Sequence, residues 1–173
     1  EELRTEIGEW AAAVDECAAG ADAVGALAAL DRYRVLCAHR HGPAGVSHWN
    51  TVIRSWLPNR RTADASWEIG QGVIVTANDY ALGVHNGDAG VVVAGPDGDP
   101  LVAFARPDAP LLIPPVRLDA VMALDAMTVH RAQGSQFENV TVVLPDPDSR
   151  LLTRELLYTA VTRARHRVRV VGS

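Results

Sequence analysis

Residues 121–171 read VMALDAMTVHRAQGSQFENVTVVLPDPDSRLLTRELLYTAVTRARHRVRVV, and the spacing of apolar runs within them decides the fold. VMALDAM at 121–127 predicts a strand, 129–134 a short helical turn, NVTVVLP at 139–145 a second strand, 153–164 a helix and 167–171 a last strand. Strands separated by helical segments of this length point to a parallel sheet. Thr153 suits the N-cap of the helix, followed by an apolar stripe of Leu156, Leu157, Ala160 and Val161. On that helix Thr159 and Arg163 are four apart and share a face.

Upstream, YRVLCA at 33–38 is short, apolar and β-branched enough for a buried strand, and it feeds the loop HRHGPAG and a helix starting near Ala44 or Gly45. A buried strand, a polar loop at its C-terminal end and a following helix form the unit from which ligand sites of α/β sheets are made. Residues 2–18 predict a helix with Leu3, Ile7, Trp10, Val14 and Cys17 on one face, ended by Gly20, and an alanine-rich helix follows at 21–31.

Between about 59 and 120 the pattern changes. GVIVTA at 72–77, GVVVAG at 90–95 and LVAFA at 101–105 predict short strands, and six of the ten prolines fall between Pro96 and Pro115, which excludes a long helix. Asn86-Gly87 is a favoured hairpin dipeptide because both positions tolerate positive φ. A small antiparallel barrel inserted into an α/β domain is the expected architecture. Asn78, Asp79, His85, Asn86 and Asp88 fit either a ligand-contacting rim or turn chemistry in which Asn and Asp bond their own backbone.

The length of 173 residues suits one domain with a small insert, and a chain of this size buries roughly 70% of its unfolded surface. No apolar run approaches the ~20 residues of a membrane span, so a cytoplasmic protein without a membrane partner is expected. Cys17 and Cys37 form no CxxC pair, and no His is spaced for zinc; the expectation is two buried, reduced thiols and no metal site. His39, His41 and His48 lack a carboxylate partner in sequence.

All sixteen basic residues are arginine. Without lysine the chain has no GxxxxGK[ST] phosphate loop, whose lysine reaches the β- and γ-phosphates. The formal charge is −5, but residues 150–173 carry six arginines against one acid, Glu155, and form a basic end. Local charge steers a polyanion more than net charge does. Arg167 and Arg169, alternating with Val168 and Val170, also suit a plain solvated face.

TVHRAQGSQF at 128–137 and LLYTAVTRAR at 156–165 carry the chemistry. Thr128, His130, Gln133 and Ser135 offer short polar groups to phosphate oxygens or bases, and Gly134 lets a backbone amide approach without a Cβ. Arg163 offers a planar charged fork matched to a phosphate. The two segments resemble the fifth and sixth motifs of superfamily one helicases. The wording is closer still to the RecD type, the alpha subunit of exodeoxyribonuclease V. Arg40, Gly42, Pro43, Gly45, Val46 and Asn50 match a further block of that family, and NDYALGVHNGDAG at 78–90 resembles its SH3-like insert.

The resemblance implies a RecA-like parallel sheet with helices on both faces, interrupted by a small SH3-like β-barrel. Residues 1–58 and 121–173 would then form the second motor domain and 59–120 the insert. It implies Arg163 as the arginine finger, with Gly134, Gln136 and Arg40 at the nucleotide, and Thr128, His130, Gln133, Ser135 and Asn50 at the DNA. Gln136 stands where the family usually has Glu. ATP with Mg²⁺ would be held mainly by a first RecA-like domain absent from this sequence, which begins at Glu1 and is expected to be a fragment. The implied partners are single-stranded DNA, that first domain, and the beta and gamma subunits of exodeoxyribonuclease V. The implied function is 5′ to 3′ translocation in recombinational repair, inactive in this piece by itself. The alternative is a DNA- or protein-binding module without an ATP cycle.

Overall fold

The computed structural model describes residues 1–57 and 67–172. The chain divides into two compact units, Glu1–Leu30 with Ser55–Leu124, and Asp31–Arg54 with Asp125–Ser173.

The first unit holds helices α1 (Glu2–Ala19) and α2 (Ala23–Leu30) and strands β2 (Gly72–Val75), β3 (Ala89–Ala94), β4 (Pro100–Phe104), β5 (Leu111–Ile113) and β6 (Val121–Ala123). Its five strands pair antiparallel in the order β5-β4-β3-β2-β6. One face of the sheet closes over Val73, Val75, Val92, Val102, Phe104 and Ile113. Val91 and Val93 alternate to the other face, and α1 and α2 pack on β3. Burial on both faces is why these strands are continuous valine runs.

The alanine content of α2 lets it lie close to α1, and the Trp10 indole donates to the Ala29 carbonyl at 3.0 Å. Residues 1–30 were expected beside the parallel sheet; they group instead with the antiparallel one, because their apolar stripe of Ile7, Trp10, Val14 and Ala18 is matched by α2 and β3. The expected start of the insert at residue 59 lies outside the described residues.

The turn between α1 and α2 also departs from expectation. Gly20 caps α1 with an ordinary negative φ of −76°, and the left-handed residue is Ala21 at φ 57°. Asp22 N donates to Cys17 O and Ala21 N to Ala18 O, the paired bonds of a Schellman stop. Asp22 Oδ1 then accepts from Gly25 N at 2.8 Å and starts α2.

Between β2 and β3, only Gly87 of the Asn86-Gly87 pair has positive φ, at 99°. Asp88 N donates to His85 O, so the dipeptide forms a turn of type II character with glycine third. The neighbouring polar residues serve this loop: Asp79 Oδ1 accepts from Ala81 N and Leu82 N, and Asn78 Oδ1 from Asn86 N. Arg106 clasps it by bonding Asp88 Oδ2 at 2.8 Å and the Gly83 carbonyl at 2.6 Å.

The second unit is a four-stranded parallel sheet, β7-β1-β8-β9, made of β1 (Tyr33–Cys37), β7 (Ala126–Thr128), β8 (Phe137–Val143) and β9 (Ala164–Val171). Helices α3 (Val46–Trp56) and α4 (Arg154–Val161) complete it. Thr153 caps α4 as expected, its hydroxyl accepting from Leu156 N at 3.1 Å. The run VMALDAM, expected as one strand, is two: β6 pairs with β2 in the first unit and β7 with β1 in the second. The break falls at Asp125, whose buried carboxylate accepts from Arg54 Nε at 3.0 Å. The ion pair fixes Asp125 within the second unit, where the chain leaves β2 and joins β1. No described helix is long and apolar enough to cross a membrane.

Candidate functional site

The segment 128–137 crosses the parallel sheet. It leaves β7 at Thr128, which pairs with Cys37 at the C-terminal end of β1, and Val129 N donates to the Cys37 carbonyl at 3.0 Å. It enters β8 at Phe137, opposite Ala164 at the start of β9. In between, Ala132 N bonds Thr128 O, Gln133 N bonds His130 O and Ser135 N bonds Ala132 O, forming the expected helical turn. Thr128 Oγ1 stabilises its start by accepting from Arg131 N at 3.2 Å. Gly134 ends it at φ 89°, with open space where a Cβ would stand, so glycine is needed here for its backbone conformation.

At the N-terminal edge of the sheet, Arg163 is held in place. Nε donates to Thr159 O at 3.1 Å, Nη1 to Ser135 O at 3.1 Å and Nη2 to Thr162 Oγ1 at 3.2 Å. The Arg163 carbonyl accepts from Phe137 N at 2.8 Å. Three of five guanidinium hydrogens are thereby used, leaving one on each terminal nitrogen for an incoming oxyanion. Gln136 stands beside it, its Oε1 accepting from Arg165 Nε at 3.3 Å.

Thr128, His130 and Arg40 therefore belong to the C-terminal edge, and Gly134, Ser135, Gln136 and Arg163 to the N-terminal edge. The seven residues of β8 separate the two by roughly 20 Å. Two residues fall on the edge opposite to their expected group: Ser135, expected at the DNA by resemblance, touches Arg163, and Arg40, expected at the nucleotide, follows the C-terminal end of β1. His130, Gln133 and Arg40 are exposed. Asn50 has a fixed structural duty, its Oδ1 accepting from Ala126 N at 2.7 Å to anchor the start of β7.

The loop after β1 is tight. A Cβ at Gly45 would lie 2.5 Å from the His41 carbonyl group, so only glycine lets the chain pass itself here. Val46 N and Ser47 N bond the carbonyls of His39 and Arg40 at 3.0 Å each. Among the described residues no group of three His, Cys, Asp or Glu side chains could hold a metal. Both cysteines are free; Cys37 is buried as expected, whereas Cys17 is half-buried.

Sequence reasoning missed Arg34 and Asp125, whereas Thr162, singled out with Thr159 and Arg163, does meet the guanidinium. Arg34 is 1% exposed, and burial pushes its guanidinium down to about 10 against the opposing pull of Asp31 and Asp125. Its guanidinium lies 4.9 Å from the centroid of the Phe137 ring, beneath the edge that carries Arg163. A charged residue inside an apolar strand such as YRVLCA or VMALDAM was the available signal.

A parallel sheet with helices, its glycine turn and an arginine just past the end of α4 meeting at one edge, is an arrangement of the RecA-like kind. Residues 123–171 match the family described as UvrD-like helicase C-terminal domain. The fold is similar to that of Pif1 helicase from Bacteroides, solved with ADP-AlF3 and ssDNA, at a TM-score of 0.54 and 17% identity over 81% of this chain and 40% of that one. The chain is 51% identical to the RecBCD enzyme subunit RecD of Mycolicibacterium smegmatis over 100% of its length and 31% of that protein. It is 53% identical to the RecD subunit of Mycobacterium tuberculosis over 86% of this chain and 26% of that protein. The chain belongs to the RecD-type helicases, and it spans about a third or less of the length of these relatives.

Proposed function

We propose that this chain is the second motor domain of an ATP-dependent DNA helicase of the exodeoxyribonuclease V type, moving 5′ to 3′ on single-stranded DNA during recombinational repair. The observation that carries the reading is the path of residues 128–137 from one sheet edge to the other, ending against Arg163. A motor must register a strand and a nucleotide together, and one ten-residue segment reaches both edges.

In this reading Thr128 and His130 contact the strand at the C-terminal edge, joined by Arg40 and, through Gln133, by the turn that leads away. Arg163 approaches the γ-phosphate of ATP with Mg²⁺ bound on the first RecA-like domain, and its two remaining donors stabilise charge as the phosphoryl group transfers. Gly134 and Ser135 line the same edge, and Gln136 offers an amide to the nucleotide where a carboxylate is usual. Asn50 acts by holding β7 in register, which keeps Thr128 at its place.

The antiparallel sheet is the family's SH3-like insert, a reading supported by its five short strands and its valine-rich core. The beta and gamma subunits of exodeoxyribonuclease V are the further partners, and the cytoplasm, where the DNA lies, is the working compartment. The test is displacement of streptavidin from end-biotinylated single strands by the full-length protein with ATP. Release from the 3′ end only is expected; release from the 5′ end only, or no ATP-dependent release, overturns the reading.

A further inference from the structure

A cavity of about 620 Å³ opens over the C-terminal ends of β1, β8 and β9, and the function above leaves it unused. Its walls include His39, His41, Pro43, Trp49, Leu144 and Asp146. We infer that this cavity seats one unstacked nucleobase of the bound single strand; the inference rests on the strand-binding reading of Thr128 and His130.

Three observations favour a base over a phosphate. The lining supplies an indole, two imidazoles and a proline ring, flat faces on which any base can stack. The leading amides of α3 that would otherwise invite an anion are taken, Val46 N by His39 O and Ser47 N by Arg40 O. The wall also carries a carboxylate: Asp146 Oδ1 accepts from Asp148 N at 3.0 Å, and its second oxygen remains for an exocyclic amino group. A phosphate would be repelled by that carboxylate, whereas cytosine, adenine and guanine each bring an amino donor.

Position argues the same way. The cavity and Thr128 share the C-terminal edge of one sheet, two strand spacings apart from β7 to β8, roughly 10 Å. A strand whose backbone is held at Thr128 and His130 reaches it within a few nucleotides. The His39 ring is fixed by its Nε2 bond to Ser149 Oγ at 2.9 Å, and the glycine passage at Gly45 holds the loop that brings His41 and Pro43 to the wall. The seat is therefore built before the base arrives, which keeps the ordering cost low.

The experiment measures binding of oligo-dC, oligo-dT and an abasic oligonucleotide of equal length to the full-length protein. Trp49→Ala is expected to weaken oligo-dC and oligo-dT about tenfold and leave the abasic strand unchanged. Asp146→Asn, on an exposed loop, is expected to lower the preference for oligo-dC over oligo-dT and leave the abasic strand unchanged. Equal loss on all three strands for Trp49→Ala, or no change with either variant, overturns the cavity assignment. Competition by free dCMP as strong as by oligo-dC also overturns it, since the occupant would then be a free nucleotide. Failure of the unaltered protein to bind any of the three strands removes the strand-binding reading itself and is distinct from those outcomes.

Discussion

Arg163 donates from Nη1 to the Ser135 carbonyl at 3.1 Å and accepts at its own carbonyl from Phe137 N at 2.8 Å, so the two residues flanking Gln136 are both bonded to one arginine. The end of the 128–137 segment is thus tied to the residues that follow α4 on both sides of Gln136.

Arg163→Ala in the full-length protein is expected to lower DNA-stimulated ATP turnover by about 10³-fold or more, with strand affinity nearly unchanged. Arg163→Lys is expected to fail as well. A single ammonium cannot bond Thr159 O, Ser135 O and Thr162 Oγ1 from fixed directions and still present donors outward. Steady-state ATPase assays with and without single strands measure both. Turnover within tenfold of the unaltered protein removes Arg163 from the nucleotide.

Thr128→Ala and His130→Ala are each expected to weaken single-strand binding about fivefold, the worth of roughly one hydrogen bond. Apart from the proposed strand contact, the Thr128 hydroxyl accepts from Arg131 N at 3.2 Å. Thr128→Ser keeps the hydroxyl and is expected to retain both turn and affinity. Fluorescence anisotropy over a salt series is the measurement. Affinities that stay level at every salt concentration for both alanine variants remove these residues from the strand.

Thiol labelling checks the burial of β1. Burial pushes the Cys37 thiol up to about 12, whereas Cys17 is half-buried on α1. At pH 8 the native chain is expected to take one alkyl group rapidly, at Cys17, and the second only on unfolding. The sign of the stability effect follows. The unfolded thiol ionises near pH 9 while the native one keeps its proton to about 12, so the Cys37 contribution is complete below pH 9 and is lost across that window. Peptide mass mapping after brief labelling decides it; rapid native modification of Cys37 contradicts the burial of β1.

The parallel sheet was legible because its strands are buried runs with strong local signals: Tyr33–Cys37 and Phe137–Val143 need no partner information to be recognised. Thr153 was legible for the same reason, as a cap acts within one turn. What could not be read were pairings decided at long range. Asp125 splits VMALDAM because Arg54, 71 residues earlier, meets its carboxylate. Residues 1–30 join the antiparallel sheet because β3, some sixty residues on, carries the matching apolar face. The two motifs that carry the candidate site residues could be read from the sequence, but their division between the sheet edges needed the register of β7 and β8, which moves Ser135 next to Arg163.

Ala21 offers a prediction of opposite sign to the others. It is exposed and sits at φ 57°, a left-handed conformation that costs an L-residue with a Cβ roughly 1–2 kcal/mol, while the bonds of the Schellman stop hold it there. Glycine removes the strain but adds freedom to the unfolded chain, which offsets part of the gain. Ala21→Gly is therefore expected to raise stability by about 0.5–1 kcal/mol, read as a higher urea midpoint at unchanged slope. The neighbouring substitution Gly20→Ala is the control: Gly20 has φ −76°, accessible to any residue, so alanine there is not expected to strain the turn. A midpoint that falls for Ala21→Gly would mean that the α1 to α2 turn is held in some way other than by Ala21 N to Ala18 O and Asp22 N to Cys17 O.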